Sequence, residues 1–260
     1  MTMPLIHPQA LVDPRAELAD DVEVGAFSII GAQVRVGAGS VIGPHVILTG
    51  DTTLGRNNRI FQFCSIGEIS QDKKYGGEPV TTTIGDNNTI REYVTIHAGT
   101  AQDRGDTQIG DNNWLLAYTH IAHDCVVGDH TVFSNGAQLS GHVHVGDYAT
   151  MGGFSGVHQH CRIGAHAMVA GGSIIVQDVP PYMMVAGYPA KPAGVNSEGL
   201  RRRGFSAEDI QAIRRAYKTL YREGLTLREA REKIAQETSP FPVLEILLHF
   251  LEAEGRGIVR

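Results

Sequence analysis

Through most of this 260-residue chain an aliphatic residue returns every six positions, and few backbones obey such a rule. The series runs Ile6, Val12, Leu18, Val24, Ile30, Val36, Ile42, Leu48, Leu54, Ile60, Ile66. Four positions after the early members stands a small or β-branched residue: Ala10, Ala16, Val22, Ser28, Val34, Ser40, Val46. Glycine often follows the aliphatic directly, as at Gly25, Gly31, Gly37, Gly43 and Gly55. The phase resumes at Ile84, Ile90 and Ile96. It resumes again, shifted by one, at Ile109 and continues through Ile121, Leu139 and Val157 to Ile175. A helix would repeat every 3.6 residues and a lone strand every 2, so neither fits.

A parallel β-solenoid satisfies the rule. Each unit supplies one short strand and a corner, and three units close a triangular coil of 18 residues. The aliphatic and the small residue point inward and fill a narrow prism. Gly and Asn near the corners are expected to supply backbone angles that β-branched residues avoid. No unit buries its apolar face alone, so stability must come from stacked coils, about 4.8 Å apart. These residues resemble the hexapeptide-repeat family. The resemblance implies its fold, a left-handed parallel β-helix, and that handedness is an exception to the right-handed crossover preference.

Repeats end near a Pro-rich stretch, Pro180-Pro181 to Pro192, and helical signals follow. Ser206-Ala207-Glu208-Asp209 reads as a capping box for a helix that stops at Gly224. Thr226-Leu227-Arg228-Glu229 caps a second, and Phe241 to about Glu254 forms a third. The expected architecture is an all-β solenoid plus α, with a β-helix domain over 1–190 and a three-helix appendage over 191–260. Charge divides along the same line. Residues 1–190 hold 9 Lys+Arg against 18 Asp+Glu, whereas residues 191–260 hold 13 against 10. Anionic partners are therefore expected at the helical end, which carries Arg201, Arg202, Arg203, Arg214, Arg215, Lys218 and Arg222. No apolar run is long enough to span a membrane, and no signal peptide is visible. Cys64, Cys125 and Cys161 all occupy the small inward position, as buried free thiols would, which suits a reducing cytoplasm.

Two segments interrupt the repeat. Residues 72–83 form the first break; Ile84 stands eighteen after Ile66, one coil length, so the phase is kept. A loop extruded at a corner leaves stacking intact and often carries function, which singles out Asp72 and Lys74. The second break, about Gln102 to Gln108, contains Asp103-Arg104-Gly105-Asp106 and bears no chemical signature of its own.

Beyond Ile109 the coil length places residues in columns. His123, Gly141 and Gln159 form one, and Asp124, His142 and His160 the next. These positions lie near the corners, so imidazoles, a carboxylate and an amide gather on one outward edge. A single histidine there is as often a surface or stacking residue; the cluster is what points to chemistry. A neutral imidazole can act as a general base near pH 7. Gly141 has no side chain to shield its N–H, which could bind an oxyanion and contribute about 3 kcal/mol in the transition state. Base plus oxyanion donor, without a Ser or Cys nucleophile, suggests direct acyl transfer to an alcohol or amine. Asp124 could orient the ring, although adjacent residues often point apart. The competing chemistry is zinc held by three histidines across a subunit interface, as in the gamma-class carbonic anhydrases. A different class altogether is a non-catalytic solenoid that binds a partner on a flat face, which predicts no such cluster.

Several motifs together sharpen the resemblance: Gln71-Asp72-Lys73-Lys74-Tyr75, His120-Ile121-Ala122-His123-Asp124-Cys125, Gly141-His142, Val157-His158-Gln159, Gln177-Asp178-Val179-Pro180-Pro181-Tyr182, Gly194-Val195-Asn196, Glu198-Gly199-Leu200 and Arg202-Arg203-Gly204-Phe205. In this combination the chain resembles the UDP-N-acetylglucosamine O-acyltransferases of lipid A biosynthesis over nearly its whole length. The resemblance implies transfer of an (R)-3-hydroxyacyl chain from acyl carrier protein to the sugar 3-hydroxyl. It implies His123 as the base and the Gly141 N–H as the oxyanion donor. Asp72, Lys74, His120, His142 and His158, with Gln159 nearby, would line the sugar and acyl-head site. Asn196, Glu198, Arg202 and Arg203 would meet the UDP half, and Gly171 would lie where the acyl tail ends. It further implies a cytoplasmic homotrimer with sites between prisms, no metal or organic cofactor, no nucleic-acid partner and no stable membrane insertion. Pro189 stands where some relatives carry a histidine. A related alternative is the N-acyltransferase two steps later in the same pathway. It usually carries a separate N-terminal uridine-binding domain, whereas hexads here begin at Ile6.

Overall fold

The structure is a computed structural model that describes residues 3–253 and 255–260. The six-residue units are short parallel strands, mostly of two residues, wound round a triangular prism. Among the described residues its walls are sheets of eleven, nine and eight strands, and each wall takes every third strand of the chain until a closing hairpin ends the first. Register follows the period. Val24 pairs beside Ile42, Ile30 beside Leu48 and Val127 beside Val145, each eighteen positions on. Ile30, Ile42, Leu48, Leu115, Ile121, Phe133 and Leu139 are buried in the prism axis. Each contributes about 1.5–3 kcal/mol by leaving water. The inward small residues join the coils. Ser28 Oγ donates to the Gly43 carbonyl at 2.7 Å, and Asn88 Nδ2 to the Gly110 carbonyl at 3.0 Å. All three cysteines are buried and free, and burial pushes the Cys64 and Cys125 thiols up to about 12.

The corners meet expectation in part. Gly39, Asn57, Asn87, Asn112, Gly136 and Gly172 take left-handed backbone angles, but more of these positions belong to aromatic rings and histidines. Phe27, His45, Phe63, Tyr93, Tyr118, His130, His142, Tyr148, His160, His166 and Tyr182 all have φ between 56° and 70°. Stacking explains it: Phe27, His45, Phe63, Tyr93 and Tyr118 form a ladder with ring centroids 4.8–5.2 Å apart. The coil repeat sets that distance, and an aromatic pair gains about 0.5–1.5 kcal/mol, comparable with the left-handed penalty of roughly 1–2 kcal/mol. The repeat glycines answer a different need. A Cβ on Gly25 would lie 2.6 Å from Pro44 N, so close coil approach, not a backbone angle, requires glycine there.

The first loop is larger than its phase suggests. Ile84 pairs with Leu54, thirty positions back, and the residue above Ile66 is Ile96. Eighteen residues therefore replace one unit of six, and twelve are extruded. Because the insertion is a multiple of six, the period alone could not reveal it. The second loop adds seven residues, so Ile109 pairs with Ile84 and His120 with Thr95.

A hairpin of Met183–Gly187 and Ala190–Val195 closes the first wall. Among the described residues four α-helices follow: α1 Ser197–Arg202, α2 Ala207–Tyr221, α3 Leu227–Ala235 and α4 Glu245–Glu252. The capping boxes at Ser206 and Thr226 are both formed. Helix α1 lacked a periodic apolar signal and was not expected; the last helix ends at Glu252, and Glu254 lies outside the described residues. α2 buries Ile210, Ile213, Ala216 and Leu220, a stripe at helical spacing. Two ties fix the helices to the prism. Tyr182 Oη donates to the Val243 carbonyl at 2.8 Å, and the C-terminal segment returns to pair Val259 N with the Asp178 carbonyl at 2.9 Å.

Candidate active site

His123 and Gly141 share one edge of the prism, the corner between the second and third walls. His142 N donates to the His123 carbonyl at 3.0 Å, which fixes the two coils in register. A Cβ on Gly141 would lie 2.4 Å from His123 Cε1 and 2.6 Å from Nε2. The imidazole thus rests on the bare Cα of Gly141, and no other residue type leaves it room. The Gly141 N–H donates to no backbone carbonyl among the described residues.

Asp124 is turned toward the ring. Its φ of 59° helps turn the chain from the second wall to the third, and its Oδ2 lies 2.9 Å from His123 Nδ1. The carboxylate is buried. It also accepts from Thr100 N at 2.9 Å and Thr100 Oγ1 at 2.6 Å. A carboxylate only accepts, so the neutral imidazole carries its proton on Nδ1 and presents Nε2 as the basic atom. Thr107 Oγ1 accepts from Asp124 N at 2.8 Å and holds the turn.

A groove of about 400 Å³ opens beside this pair, lined by Gln71, Asp72, His97, His120, His123, Gln138, Ser140 and Gln159 among others. His120 Nδ1 lies 2.8 Å from Thr95 Oγ1 and its ring meets His97 edge-on at 5.1 Å. Burial, then the neighbouring His97 and His123, pushes the His120 pKa down to about 4. Burial also lowers His97, against the pull of Glu68. Both rings are therefore neutral near pH 7 and act as hydrogen-bond partners, not as cations.

Of the other expected residues, His142 meets the His123 ring edge-on at 4.9 Å and stacks on His160 at 4.3 Å. Its Nδ1 is 2.6 Å from Asp103 Oδ2, on the second loop. Lys74 is exposed on the first loop, where its N–H donates to Asp72 Oδ1 at 3.0 Å. His158 is exposed, with Nδ1 3.2 Å from the Gln159 carbonyl. Two groups stand on other edges. Gly171 lies at the corner between first and second walls, over Gly153. Asn196, Glu198, Arg202 and Arg203 gather past the corner between third and first walls. There Arg203 lies 5.1 Å over the Tyr148 ring, and the Asn196 side chain caps α1 and donates to the His166 carbonyl. Glu198 pairs with Arg201 and with Arg202. One chain alone thus spreads the expected set over three edges.

His97, Gln71, Thr100 and Asp103 were missed as site residues. The seven-residue insertion breaks the eighteen-step arithmetic between His97 and His120, so no column could join them. His123, Asp124 and His142 are the group of metal-capable side chains close enough to share an ion among the described residues. It offers two imidazoles and a carboxylate, not three histidines, and both Nδ1 atoms already face carboxylates.

A stacked-coil prism with a His–Asp pair against a bare glycine defines a hexapeptide-repeat acyltransferase. The hexapeptide-transferase family model matches residues 106–141, and the model described as UDP N-acetylglucosamine O-acyltransferase, domain 2, matches residues 178–259. An acyl-[acyl-carrier-protein]–UDP-N-acetylglucosamine O-acyltransferase of Thiobacillus denitrificans is 57% identical, over 99% of this chain and 100% of that protein. That of Halorhodospira halophila is 55% identical over the same shares. The crystal structure of LpxA from Acinetobacter baumannii superposes with a TM-score of 0.97 at 48% identity, covering 98% of this chain and 100% of that one. The chain belongs to the acyl-[acyl-carrier-protein]–UDP-N-acetylglucosamine O-acyltransferase family, and its fold is a left-handed parallel β-helix with a C-terminal helical part. The family match sets aside both the carbonic anhydrase and the non-catalytic alternatives.

Proposed function

We propose that this chain moves an (R)-3-hydroxyacyl group from acyl carrier protein to the 3-hydroxyl of UDP-N-acetylglucosamine, the first step of lipid A biosynthesis. The observation that carries it is the His123 ring, held by Asp124 on one side and seated on Gly141 on the other. His123 Nε2 takes the proton of the sugar hydroxyl as its oxygen attacks the thioester carbonyl. A C–O bond forms, and the tetrahedral oxyanion is held by the Gly141 N–H. Collapse breaks the C–S bond, and the imidazolium returns its proton to the departing pantetheine thiolate. Asp124 stays charged and stabilises the imidazolium.

Asp72, His120 and Gln159 line the groove and would orient the sugar and acyl head, with Lys74, His142 and His158 around them. Asn196, Glu198, Arg202 and Arg203 would meet the UDP half, and Gly171 the acyl terminus. Their spread over three edges supports a homotrimer, in which one prism's wall faces the next. The second wall supports it too, because Leu11, Ile29 and Ile47 are uncovered on its outer face beside the exposed Phe63 and Tyr118 corner. The helical end would dock the acidic carrier protein. Arg201 and Arg215 are in exposed ion pairs that a partner can displace at little cost. No helix of the described residues is long and apolar enough to cross a membrane, and with the free thiols this supports a cytoplasmic reaction.

The test is purified protein with UDP-N-acetylglucosamine and 3-hydroxyacyl carrier protein, followed by mass measurement of the acylated sugar nucleotide. His123→Ala is expected to abolish turnover by several orders of magnitude while the protein stays folded. A parent enzyme that forms no product, or a variant that matches the parent, refutes the proposal.

A further inference from the structure

Two imidazoles surround one buried carboxylate at the catalytic corner. His123 Nδ1 is 2.9 Å from Asp124 Oδ2, and His142 Nδ1 is 3.8 Å from the same oxygen. Both rings would donate to it if nothing intervened. A second carboxylate intervenes: Asp103 Oδ2 accepts from His142 Nδ1 at 2.6 Å. We infer that Asp103 is a positioning residue of the active site, which engages His142 and thereby reserves Asp124 for His123. The inference rests on the acyl-transfer reading of this corner.

The second loop is built to deliver that carboxylate. Its root is tied to the catalytic pair, because Thr100 gives both its N–H and its hydroxyl to Asp124. Its turn closes on the same residue, with Asp103 N and Gly105 N both donating to the Thr100 carbonyl, at 3.2 Å and 3.0 Å. Gly105 has φ +70°, so the tight reversal needs no strained side chain. Asp103 thereby reaches a ring thirty-nine positions later in the chain.

His142 has few other ways to settle. His160 stacks flat on it at 4.3 Å, with the planes 7° apart, and His123 meets it at 88°. Rotation about Cβ–Cγ would break that stack, so the ring keeps its plane and Nδ1 stays on the side of the two carboxylates. Among the groups placed here around Nδ1, the acceptors are Asp103 and, farther off, Asp124. A carboxylate cannot donate, so Asp103 fixes the proton of a neutral His142 on Nδ1 and leaves Nε2 as an acceptor on the opposite side of the ring. Without Asp103, the His142 Nδ1–H turns to Asp124 and competes with His123 for the oxygen that sets the base's tautomer. The Asp103 side chain is 40% exposed, so the pair adds little to stability, and its loss should register in turnover.

Full-length Asp103→Ala and Asp103→Asn are compared with the parent for kcat, KM and melting temperature, with UDP-N-acetylglucosamine and 3-hydroxyacyl carrier protein as substrates. Asp103→Ala is expected to lower kcat about tenfold or more while KM for the sugar nucleotide and the melting temperature hold. Asp103→Asn is expected to recover most of that loss, since its amide oxygen still accepts from Nδ1. In a His142→Ala background no competitor remains, so adding Asp103→Ala should cost nothing further. Full kcat in Asp103→Ala, a loss that tracks the melting temperature, an Asn variant no better than Ala, or an added loss in the His142→Ala background each overturns the inference. A parent enzyme without turnover would instead sink the acyl-transfer reading itself.

Discussion

Replacing Gly141 by alanine would set a methyl group 2.4 Å from Cε1 and 2.6 Å from Nε2 of His123. Nonbonded carbons rest at about 3.5–4.0 Å, so the ring must retreat by about 1 Å. It cannot retreat freely, because Asp124 holds Nδ1 at 2.9 Å and His142 stands edge-on at 4.9 Å. A misplacement of that size costs about 10²-fold in rate, or about 2.7 kcal/mol of barrier. The backbone has no objection, since Gly141 is not among the positive-φ glycines. The overlap of methyl and ring costs about 1–3 kcal/mol as overpacking, offset in part by about 0.4–1 kcal/mol from the stiffer unfolded chain. The N–H at position 141 also survives the change. Gly141→Ala should therefore lose about 10²-fold in kcat with only a small fall in melting temperature. The assay is steady-state acyl transfer from 3-hydroxyacyl carrier protein, run beside a thermal melt of the same preparation. A kcat within about threefold of the parent would show that the ring does not need this seat. A rate loss accompanied by a large fall in melting temperature would show general disruption instead.

Asp124→Asn keeps the shape but points an amide group at the Thr100 donors that the carboxylate now satisfies. It should cost about 1–3 kcal/mol of stability and about 10²-fold or more in kcat, measured by denaturant titration and by turnover. Unchanged kcat would remove Asp124 from the mechanism. His166, stacked between Tyr148 and Tyr182, has its pKa pushed down to about 4 by burial and then by Arg203. Its unfolded pKa is about 6.5, so between those values the unfolded chain binds a proton that the folded ring refuses. The His166 contribution is complete above about pH 6.5 and is lost as the pH falls toward about 4, with a ceiling of about 3 kcal/mol. His166→Phe keeps the stack and should flatten that part of the pH–stability curve; equal acid losses in parent and variant would refute the assignment.

The sequence by itself determined the prism, because a six-residue aliphatic period leaves a chain no other way to bury its apolar side. It also determined that Gly141 lies over His123, since no insertion interrupts the eighteen-step winding between Ile109 and Ile175. The capping boxes at Ser206 and Thr226 were legible for a similar reason: they are fixed by three-residue spacings along the chain. Only the tertiary structure decided the rest. The twelve-residue excursion before Ile84 hid inside the period because its length is a multiple of six. The seven-residue one placed Thr95 beneath His120 and Asp103 beside His142, distances along the chain that no column could anticipate. Asp124 faces His123 from a left-handed corner, and a spacing rule carries no information about the direction in which a corner residue points. Periodicity fixes which residues stack, whereas loop lengths and corner angles fix which side chains meet.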